Sequence, residues 1–289
     1  VLSVPIRNEK RLLEIFSLEN VEATVIGKFT GNKRLELFFE NTQVCDLDME
    51  FLHEGIPQVV KQAEWIEPKV KDDKLPENVD LKEKLYKVLS HYNVCSKEWV
   101  IRQYDHEVQG QTIIKPLVGV GCDGPSDAAV ITPQLGSKKG IIIANGINIR
   151  YGMIDPFWMA SSCIDEAIRQ VIAVGGDLKR IAILDNFCWG NPDKPDRLGS
   201  LVRACEGCYE TAIGYGVPFI SGKDSLYNEY AVNGKSTAIP GTILISAIGI
   251  MDDVTKAVTM DLKAPGNLQY CVGLTKEELG GAIYLDTFG

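Results

Sequence analysis

The stretch that decides the fold covers residues 183–229 and reads ILDNFCWGNPDKPDRLGSLVRACEGCYETAIGYGVPFISGKDSLYNE. It opens with apolar residues typical of a strand, and the GNP sequence at 190–192 predicts a turn. Apolar residues at helical spacing predict a long helix over about 197–215, and VPFIS predicts the next strand. The sequence therefore predicts two strands joined by a helix, with polar residues following each strand.

Around this stretch, further strands and helices alternate. DAAVI and GIIIANGI predict strands, WMASSCIDEAIRQVIAVGG predicts a long helix ended by Gly175 and Gly176, and PGTILISAIGIMDD predicts a closing strand. DLKEKLYKVLSHYN predicts a helix at the start of this block. Together these segments indicate one α+β domain over residues 79–258.

The flanking segments belong to other blocks. Residues 1–49 predict a strand, a helix and three strands, with tight hairpin turns at Gly31 and Asn41. Residues 1–64 are expected to form part of a preceding α+β domain, residues 65–78 a linker, and residues 259–289 the start of a last domain. The first and last residues are expected to be cut points in a longer polypeptide.

Composition excludes several function classes. A net charge of −9 argues against broad binding to nucleic acid or anionic membranes, which need clustered Lys and Arg. The longest apolar stretches are about half of a membrane span. The eight scattered cysteines are expected to be reduced, and the lone CxxC at Cys205 and Cys208 lacks a partner pair at zinc spacing. We expect Cys205 on the buried stripe of its helix, in a folded cytoplasmic enzyme without a nucleophilic triad.

Two polar clusters precede the 183–229 stretch. GCDGPSDAAV places Asp127 beside glycines before a strand, where a carboxylate can reach Mg²⁺ or a ribose, although a plain turn has the same composition. In IDEAIRQ, Glu166 and Gln170 are four residues apart and share a helix face, as many solvated pairs do. Neither cluster alone decides between a site and a structural role.

Two further clusters follow the two strands of the stretch itself. Asp185 comes after an apolar strand, where a carboxylate must be paired, coordinated or exposed to ligand. In SGKDS, Gly222 permits close backbone approach, Lys223 offers a cation, Asp224 a metal ligand and Ser225 a hydroxyl. These residue types handle phosphate, but the spacing is not that of a Walker A loop, and a turn remains the alternative.

At these residues the chain resembles phosphoribosylformylglycinamidine synthase, the formylglycinamide ribonucleotide amidotransferase family. The segments that carry the resemblance occur in the family's order over about 150 residues: YDHEVQ, SDAAV, RYGMIDP, EAIRQVIAVGG, DNFCWGNPDKP and SGKDSLYNE. The resemblance implies a nucleotide-type α+β domain of the aminoimidazole ribonucleotide synthetase superfamily, flanked by parts of the second α+β domain type. It places this chain in the middle of the family's duplicated synthetase.

The resemblance also implies roles for single residues. Asp185 and Gly222 are expected to contact ATP, and Ser225 to contact substrate. Asp224, with Asp127 and Glu166, is expected to bind Mg²⁺ at a nucleotide site. Lys223 stands where the family's short form has Asn, and Gln170 where its long form has Asn, so the metal site departs from both patterns. The family's catalytic histidine is expected outside this chain.

The reaction implied by the resemblance is the ATP-dependent conversion of formylglycinamide ribonucleotide to formylglycinamidine ribonucleotide. Its ammonia comes from glutamine, through a glutaminase subunit or domain that this chain lacks. The expected partners also include the remaining parts of the same polypeptide and, by self-association, a second copy. We expect the fragment alone to be inactive.

Three alternatives stay open at this point. The nucleotide site can hold a permanently bound nucleotide that only stabilises the fold, as a non-catalytic structural module. A kinase-like member of the superfamily, such as a selenophosphate or thiamine-phosphate enzyme, lacks the combination of DNFCWGNP and SLYNE. An interaction domain needs an exposed apolar patch, which a sequence does not reveal.

Overall fold

A computed structural model of the protein describes residues 1–69 and 80–288. The chain forms two compact units, Val1–Val60 and Lys61–Gly289. Most of the predicted linker, residues 70–78, lies outside the described residues. The three boundaries between the four segments expected from the sequence therefore stay predictions.

The first unit contains helix α1 (Ile6–Leu18), strands β1 (Arg34–Phe39) and β2 (Thr42–Asp48), and helix α2 (Met49–Glu54). The two strands pair antiparallel, and Glu40 and Asn41 between them have φ of 45° and 66°. Two successive positive φ values suit a tight hairpin turn, so the turn predicted at Asn41 is confirmed.

Two strand predictions in the first unit are wrong. Residues 1–5 and residues 21–29, which read VEATVIGKF, have no regular secondary structure, and Gly31 therefore does not connect two strands. An alternating pattern forms a strand only where a neighbouring strand completes the hydrogen-bond ladder. Within the first unit, β1 and β2 pair only with each other, and none of its residues is buried.

The second unit contains a six-stranded sheet. Its described helices and strands, in chain order, are α3 (Leu81–Ser90), α4 (Glu98–Ile101), β3 (Thr112–Ile114), β4 (Ala129–Ile131), β5 (Gly140–Ile147), α5 (Ile149–Gly152), α6 (Pro156–Ala173), β6 (Ile181–Cys188), α7 (Pro195–Tyr215), β7 (Phe219–Ser225), β8 (Glu229–Val232), β9 (Lys235–Ala238), β10 (Thr242–Met251) and α8 (Ile283–Phe288). The strand order is β3-β4-β5-β10-β6-β7, and β8 and β9 form a separate hairpin. β6 and β7 are parallel, whereas β10 is antiparallel to β5 and β6.

Helices α6 and α7 pack together, and α6 lies against β5 and β10. The helix-facing side of the sheet forms the core. On it, Ile142, Ile183, Ile243 and Ile245 are completely buried, in one cluster with helix residues such as Ile164. We call the opposite face of the sheet the outer face. It exposes Ile143, Ile248 and Ile250, which are 44%, 37% and 44% exposed. None of the described helices is both long and apolar enough to cross a membrane.

The prediction that Cys205 lies on the buried side of helix α7 is wrong. Cys205 is exposed, and the buried residues of α7 are Gly199, Ala204, Gly207, Cys208 and Ala212. The predicted stripe followed the larger side chains, yet Tyr209 and Ile213 are 69% and 62% exposed. Small residues on α7 face α6 instead, because small side chains let two packed helices approach closely. Burial raises the pKa of the Cys208 thiol, so this cysteine is a core residue.

We predict opposite effects for two glycine substitutions. In Gly146→Ala, the new methyl group overlaps the carbonyl oxygen of Cys163 in α6, and forcing the helix away is expected to destabilise the fold by about 1–3 kcal/mol. In the control Gly214→Ala, nothing lies within 4 Å and the residue is helical, so stability is expected to rise by about 0.5–1 kcal/mol. Urea unfolding of both variants measures this difference, and equal stabilities would contradict the packing of α6 on β5.

Candidate functional site

The polar residues of the 183–229 stretch lie inside two neighbouring strands. In the parallel pair β6 and β7, Asp185 pairs with Gly222, Asn186 with Lys223, Phe187 with Asp224, and Cys188 with Ser225. The sequence placed these residues after the strands, and that expectation is wrong. The strands continue beyond their apolar residues, because the hydrogen bonds between strands are made by backbone groups and do not depend on the side chains.

Strand alternation divides these residues between the two faces of the sheet. Ile183 and Phe187 are buried on the helix side. Asp185 is two residues from each of them along β6, so its side chain lies on the same side of the sheet. Gly222 and Asp224 are on this side too, since paired residues of neighbouring strands share a face. Asn186, Lys223 and Ser225 therefore lie on the outer face.

On the helix side, the charge of Asp224 acts on Asp185. Desolvation raises the pKa of the Asp185 carboxyl, a backbone hydrogen bond from Lys223 opposes this, and the negative charge of Asp224 adds to the rise. A pair of nearby carboxylates with this mutual repulsion is stabilised by a bound cation. The donor set of Asp185 and Asp224 therefore fits Mg²⁺, alone or bound to a phosphate chain.

The glycine in this pair of strands has a steric reason. A Cβ atom on Gly222 would lie 2.5 Å from Oδ1 of Asp185, so a side chain at this position would displace the carboxylate. Gly222 thereby leaves room for Asp185 and for a ligand that approaches the backbone closely. The contact of Gly222 with ATP stays a prediction.

Glu166 and Gln170 hydrogen-bond to the free edge of β5. Pairing between β4 and β5 stops at Ile143. Beyond that point, the backbone N–H of Ile147 donates to Glu166 Oε2 at 2.9 Å, and Gln170 Nε2 donates to the carbonyl of Asn145 at 2.9 Å. Both side chains thus replace the missing strand, and Glu166 keeps its second carboxylate oxygen for other partners.

The six predicted site residues form two groups. Asp127 precedes β4 and Glu166 lies at β5, whereas Asp185, Asp224 and their neighbours lie on β6 and β7. One strand, β10, separates β5 from β6, so the backbones of these two strands are roughly 10 Å apart. Among the described residues, no three His, Cys, Asp or Glu side chains come together as a metal cluster. The structure therefore does not bring Asp127, Glu166 and Asp224 around one ion.

Sequence reasoning missed the ionic cluster at Glu229. Its carboxylate, only 10% exposed, accepts from the backbone N–H of Asn191 at 2.7 Å and lies 3.4 Å from Lys194 Nζ. Arg197 and Ser236 also donate to it. These donors lower the pKa of Glu229 to about 2, with the Ser236 and Asn191 hydrogen bonds as the main causes. The sequence did contain a signal for this cluster, because two basic residues, Lys194 and Arg197, follow the turn at 190–192.

Trp189 ties the ends of β6 and β7 together. Its backbone N–H donates to Ser225 at 2.8 Å, its carbonyl accepts from Asn228 at 2.9 Å, and its indole N–H donates to Ser200 Oγ at 3.0 Å. The side chain is 3% exposed. Trp189 is therefore a core residue, and with Glu229 it fixes the two strands that carry the candidate site.

Comparison with known proteins identifies the family. Residues 125–251 match the family described as AIR synthase related protein, N-terminal domain. Phosphoribosylformylglycinamidine synthase subunit PurL of Ignicoccus hospitalis is 38% identical over 278 residues, which are 96% of this chain and 37% of that protein. The chain belongs to this synthase subunit family. It spans little more than a third of the length of the relative it matches.

Solved structures of PurL subunits share the fold. Thermotoga maritima PurL complexed with ATP is 20% identical with a TM-score of 0.56, covering 88% of this chain and 37% of that one. The same protein complexed with FGAR is 21% identical with a TM-score of 0.57, covering 88% and 36%. The α+β fold expected from the sequence is therefore confirmed.

We predict that Glu229 contributes pH-dependent stability. Because its pKa is about 2 in the fold and 4.5 ordinarily, its contribution is complete above about pH 4.5 and is lost as the pH falls towards 2. Glu229→Gln removes this dependence, so its melting temperature should fall less steeply between pH 5 and 3 than that of the unchanged protein. Glu210→Gln, an exposed change on α7, is the control. Parallel pH profiles for all three proteins would contradict the account.

Proposed function

We propose that this chain is part of the ATP-dependent carbon-nitrogen ligase that converts formylglycinamide ribonucleotide to formylglycinamidine ribonucleotide in purine biosynthesis. The observation that carries the proposal is the pair Asp185 and Asp224 on the helix side of β6 and β7, beside a glycine that leaves the backbone open. The named relative and the solved complexes with ATP and FGAR support it.

The proposed roles are those that the resemblance to the family implies. Asp185 and Gly222 contact the nucleotide, Asp224 binds Mg²⁺, and Ser225 contacts the substrate. Asp127 and Glu166 are proposed as auxiliary Mg²⁺ ligands in the second group, where the free oxygen of Glu166 is the one available for a cation.

The chemistry proposed for the whole enzyme is activation of an amide. The amide oxygen of the substrate attacks the γ-phosphorus of ATP, ADP leaves, and ammonia then displaces the phosphate from carbon. Bound Mg²⁺ supplies charge neutralisation on the phosphate chain. The task of this chain's residues is to bind and orient, because phosphoryl transfer depends mainly on position and electrostatics.

The proposed partners follow from the same reaction. Ammonia is proposed to come from a glutaminase subunit, and the rest of the synthetase polypeptide completes the site, so the fragment alone is expected to be inactive. The proposed location is the cytoplasm. All eight cysteines are unpaired, in keeping with a reducing compartment.

We predict that the chain binds ATP with Mg²⁺ through the helix side of β6 and β7. Asp185→Ala and Asp224→Ala should each weaken binding about tenfold or more in isothermal titration, because each removes a charged ligand contact. Glu210→Ala, an exposed acid on α7, is the matched control and should bind as the unchanged chain does. ATP binding that is unaffected by either aspartate substitution would contradict the proposed site.

The reaction itself is tested in the full-length protein. Turnover of formylglycinamide ribonucleotide with ATP and ammonium chloride is expected without any glutaminase. ATP binding without turnover in the intact protein would instead favour the non-catalytic nucleotide-binding module.

We also predict that the chain self-associates through the apolar end of the outer face. Ile143 and Ile248 pair across β5 and β10, and Ile250 continues the exposed patch. Analytical ultracentrifugation should show a concentration-dependent dimer that Ile250→Lys abolishes. Ile213→Lys, at an exposed position of α7, should leave the dimer intact. A clean monomer at high concentration would contradict this prediction.

A further inference from the structure

Residues 61–66, which read KQAEWI, form a strap across the start of helix α7. The backbone N–H of Glu64 donates to the carbonyl oxygen of Pro195, the first residue of α7, at 2.9 Å. Lys61 forms an ion pair with Asp193, just before the helix, although the two residues are 132 positions apart in the chain. The strap therefore belongs to the tertiary structure of the second unit.

Gly199 makes room for the strap on α7. A Cβ atom at this position would lie 2.1 Å from the carbonyl oxygen of Glu64 and 2.6 Å from the backbone nitrogen of Trp65. Gly199 is a buried residue of the helix, where glycine is less favourable than alanine. The close approach of the strap backbone explains why this helical position has no side chain.

Asp193 connects the strap to the segment that follows β7. Its Oδ1 accepts from Lys61, and its Oδ2 accepts from the hydroxyl of Tyr227 at 2.8 Å. The hydrogen bonds from Lys61 and Tyr227 lower the pKa of the Asp193 carboxyl, and the bond to Asp193 raises the pKa of the Tyr227 hydroxyl. At neutral pH an ionised carboxylate thus holds the strap with one oxygen and Tyr227 with the other.

Tyr227 has a backbone conformation that a tyrosine rarely adopts. Its φ is 64°, in the left-handed region, where the Cβ atom of an L residue crowds the backbone. The residue is 55% exposed, so packing holds only part of it. Its hydroxyl bond to Asp193 therefore helps to keep the residue in this strained conformation.

The strained residue lies next to the end of β7. Asn228, which follows Tyr227, donates from Nδ2 to the carbonyl oxygen of Ser225 at 2.6 Å. The backbone N–H of Asn228 donates to the carbonyl oxygen of Trp189 at 2.9 Å. Both bonds depend on the direction that the chain takes at Tyr227. If Tyr227 relaxes, the end of β7, which includes Asp224, loses these two anchors.

We propose that Lys61, Asp193 and Tyr227 form a latch, through which the strap holds the end of β7 in place. While the strap lies on Gly199, Asp193 keeps Tyr227 in its strained conformation and the end of β7 is ordered. When the strap leaves α7, the latch opens and Tyr227 relaxes. Asp193 and Tyr227 are thus positioning residues, which act on Asp224 through the backbone of β7.

The exposure of the latch suits a connection that opens and closes. The side chains of Lys61 and Asp193 are 36% and 55% exposed, and an exposed ion pair contributes little stability. The effect on nucleotide binding rests on the proposed function, whereas the latch itself rests on the contacts alone.

The test is hydrogen–deuterium exchange of the backbone, measured by mass spectrometry. Gly199→Ala displaces the strap without changing a residue of the latch, and Tyr227→Phe removes only the hydroxyl. Each should speed exchange at residues 226–229 about fivefold. Gly214→Ala, in the same helix and with no described atom within 4 Å of its Cβ, is the control and should exchange there as the unchanged chain does.

The double variant Gly199→Ala with Tyr227→Phe decides whether both changes act through one latch. Two changes that break the same connection are not additive, so the double variant should exchange no faster at residues 226–229 than the faster single variant. Additive effects would overturn the proposal. So would exchange in Gly199→Ala that is as slow as in the unchanged chain.

Lys61 supplies a second route to the same test, at an exposed position where a change leaves the fold intact. Lys61→Met should speed exchange at residues 226–229 as Gly199→Ala does, and Lys61→Arg, which keeps the cation, should not. Exchange in β5 reports the overall stability of every variant. Equal acceleration in β5 and at residues 226–229 would overturn the proposal, because it would indicate a general loss of stability.

The latch and the proposed function fail separately. ATP with Mg²⁺ should bind Lys61→Met about fivefold more weakly than the unchanged chain, because Asp224 is held less firmly. Faster exchange with equal ATP affinity would overturn the positioning role. If exchange responds as expected but the unchanged chain binds no ATP, the latch stands and the proposed function fails. If ATP binds through Asp224 and exchange does not respond, the outcome is the reverse.

Discussion

Successive side chains of a β-strand point to opposite faces, and in this protein that alternation governs the candidate site. Asp185 and Asn186 are neighbours in sequence, as are Lys223 and Asp224, yet each pair is divided between the two sides of the sheet. The parallel pairing of β6 with β7 then sorts the charges, with the aspartates on the helix side and the lysine outside. A shift of β7 by one residue in register would bring Lys223 to the helix side beside Asp185 and move Asp224 to the outer face.

This register is held by groups outside the site. Trp189 joins the ends of both strands, and Glu229 binds Asn191, Lys194 and Arg197 in the turn and the start of α7, and Ser236 on β9. The carboxylate is nearly buried and its pKa is about 2, so at neutral pH it is an ionised anchor. The site residues are thereby fixed by a rigid frame, which is what a reaction that depends on position and charge requires.

Much of this could be predicted from the sequence, and what could not has physical causes. Long segments such as those of α6 and α7 predict helices well, because the helical spacing of their apolar residues repeats over several turns. The strand expected at residues 21–29 failed because strand formation depends on a partner that a local pattern does not show. Cys205 was expected inside because large residues were weighted over the small ones that pack on α6. The gathering of Asp127, Glu166 and Asp224 around one ion could not be judged, since it depends on the strand order, and β10 separates β5 from β6.

The central claim is that the helix side of β6 and β7 binds a nucleotide together with its Mg²⁺ ion. A crystal structure of the protein with ATP and Mn²⁺ in place of Mg²⁺ tests it most directly, through the anomalous signal of manganese. The account predicts a peak within about 2.0–2.2 Å of a carboxylate oxygen of Asp224 on the helix side, with Lys223 turned away from the ion. A manganese peak on the outer face beside Asn186 and Lys223, or a nucleotide bound away from β6 and β7, would contradict it.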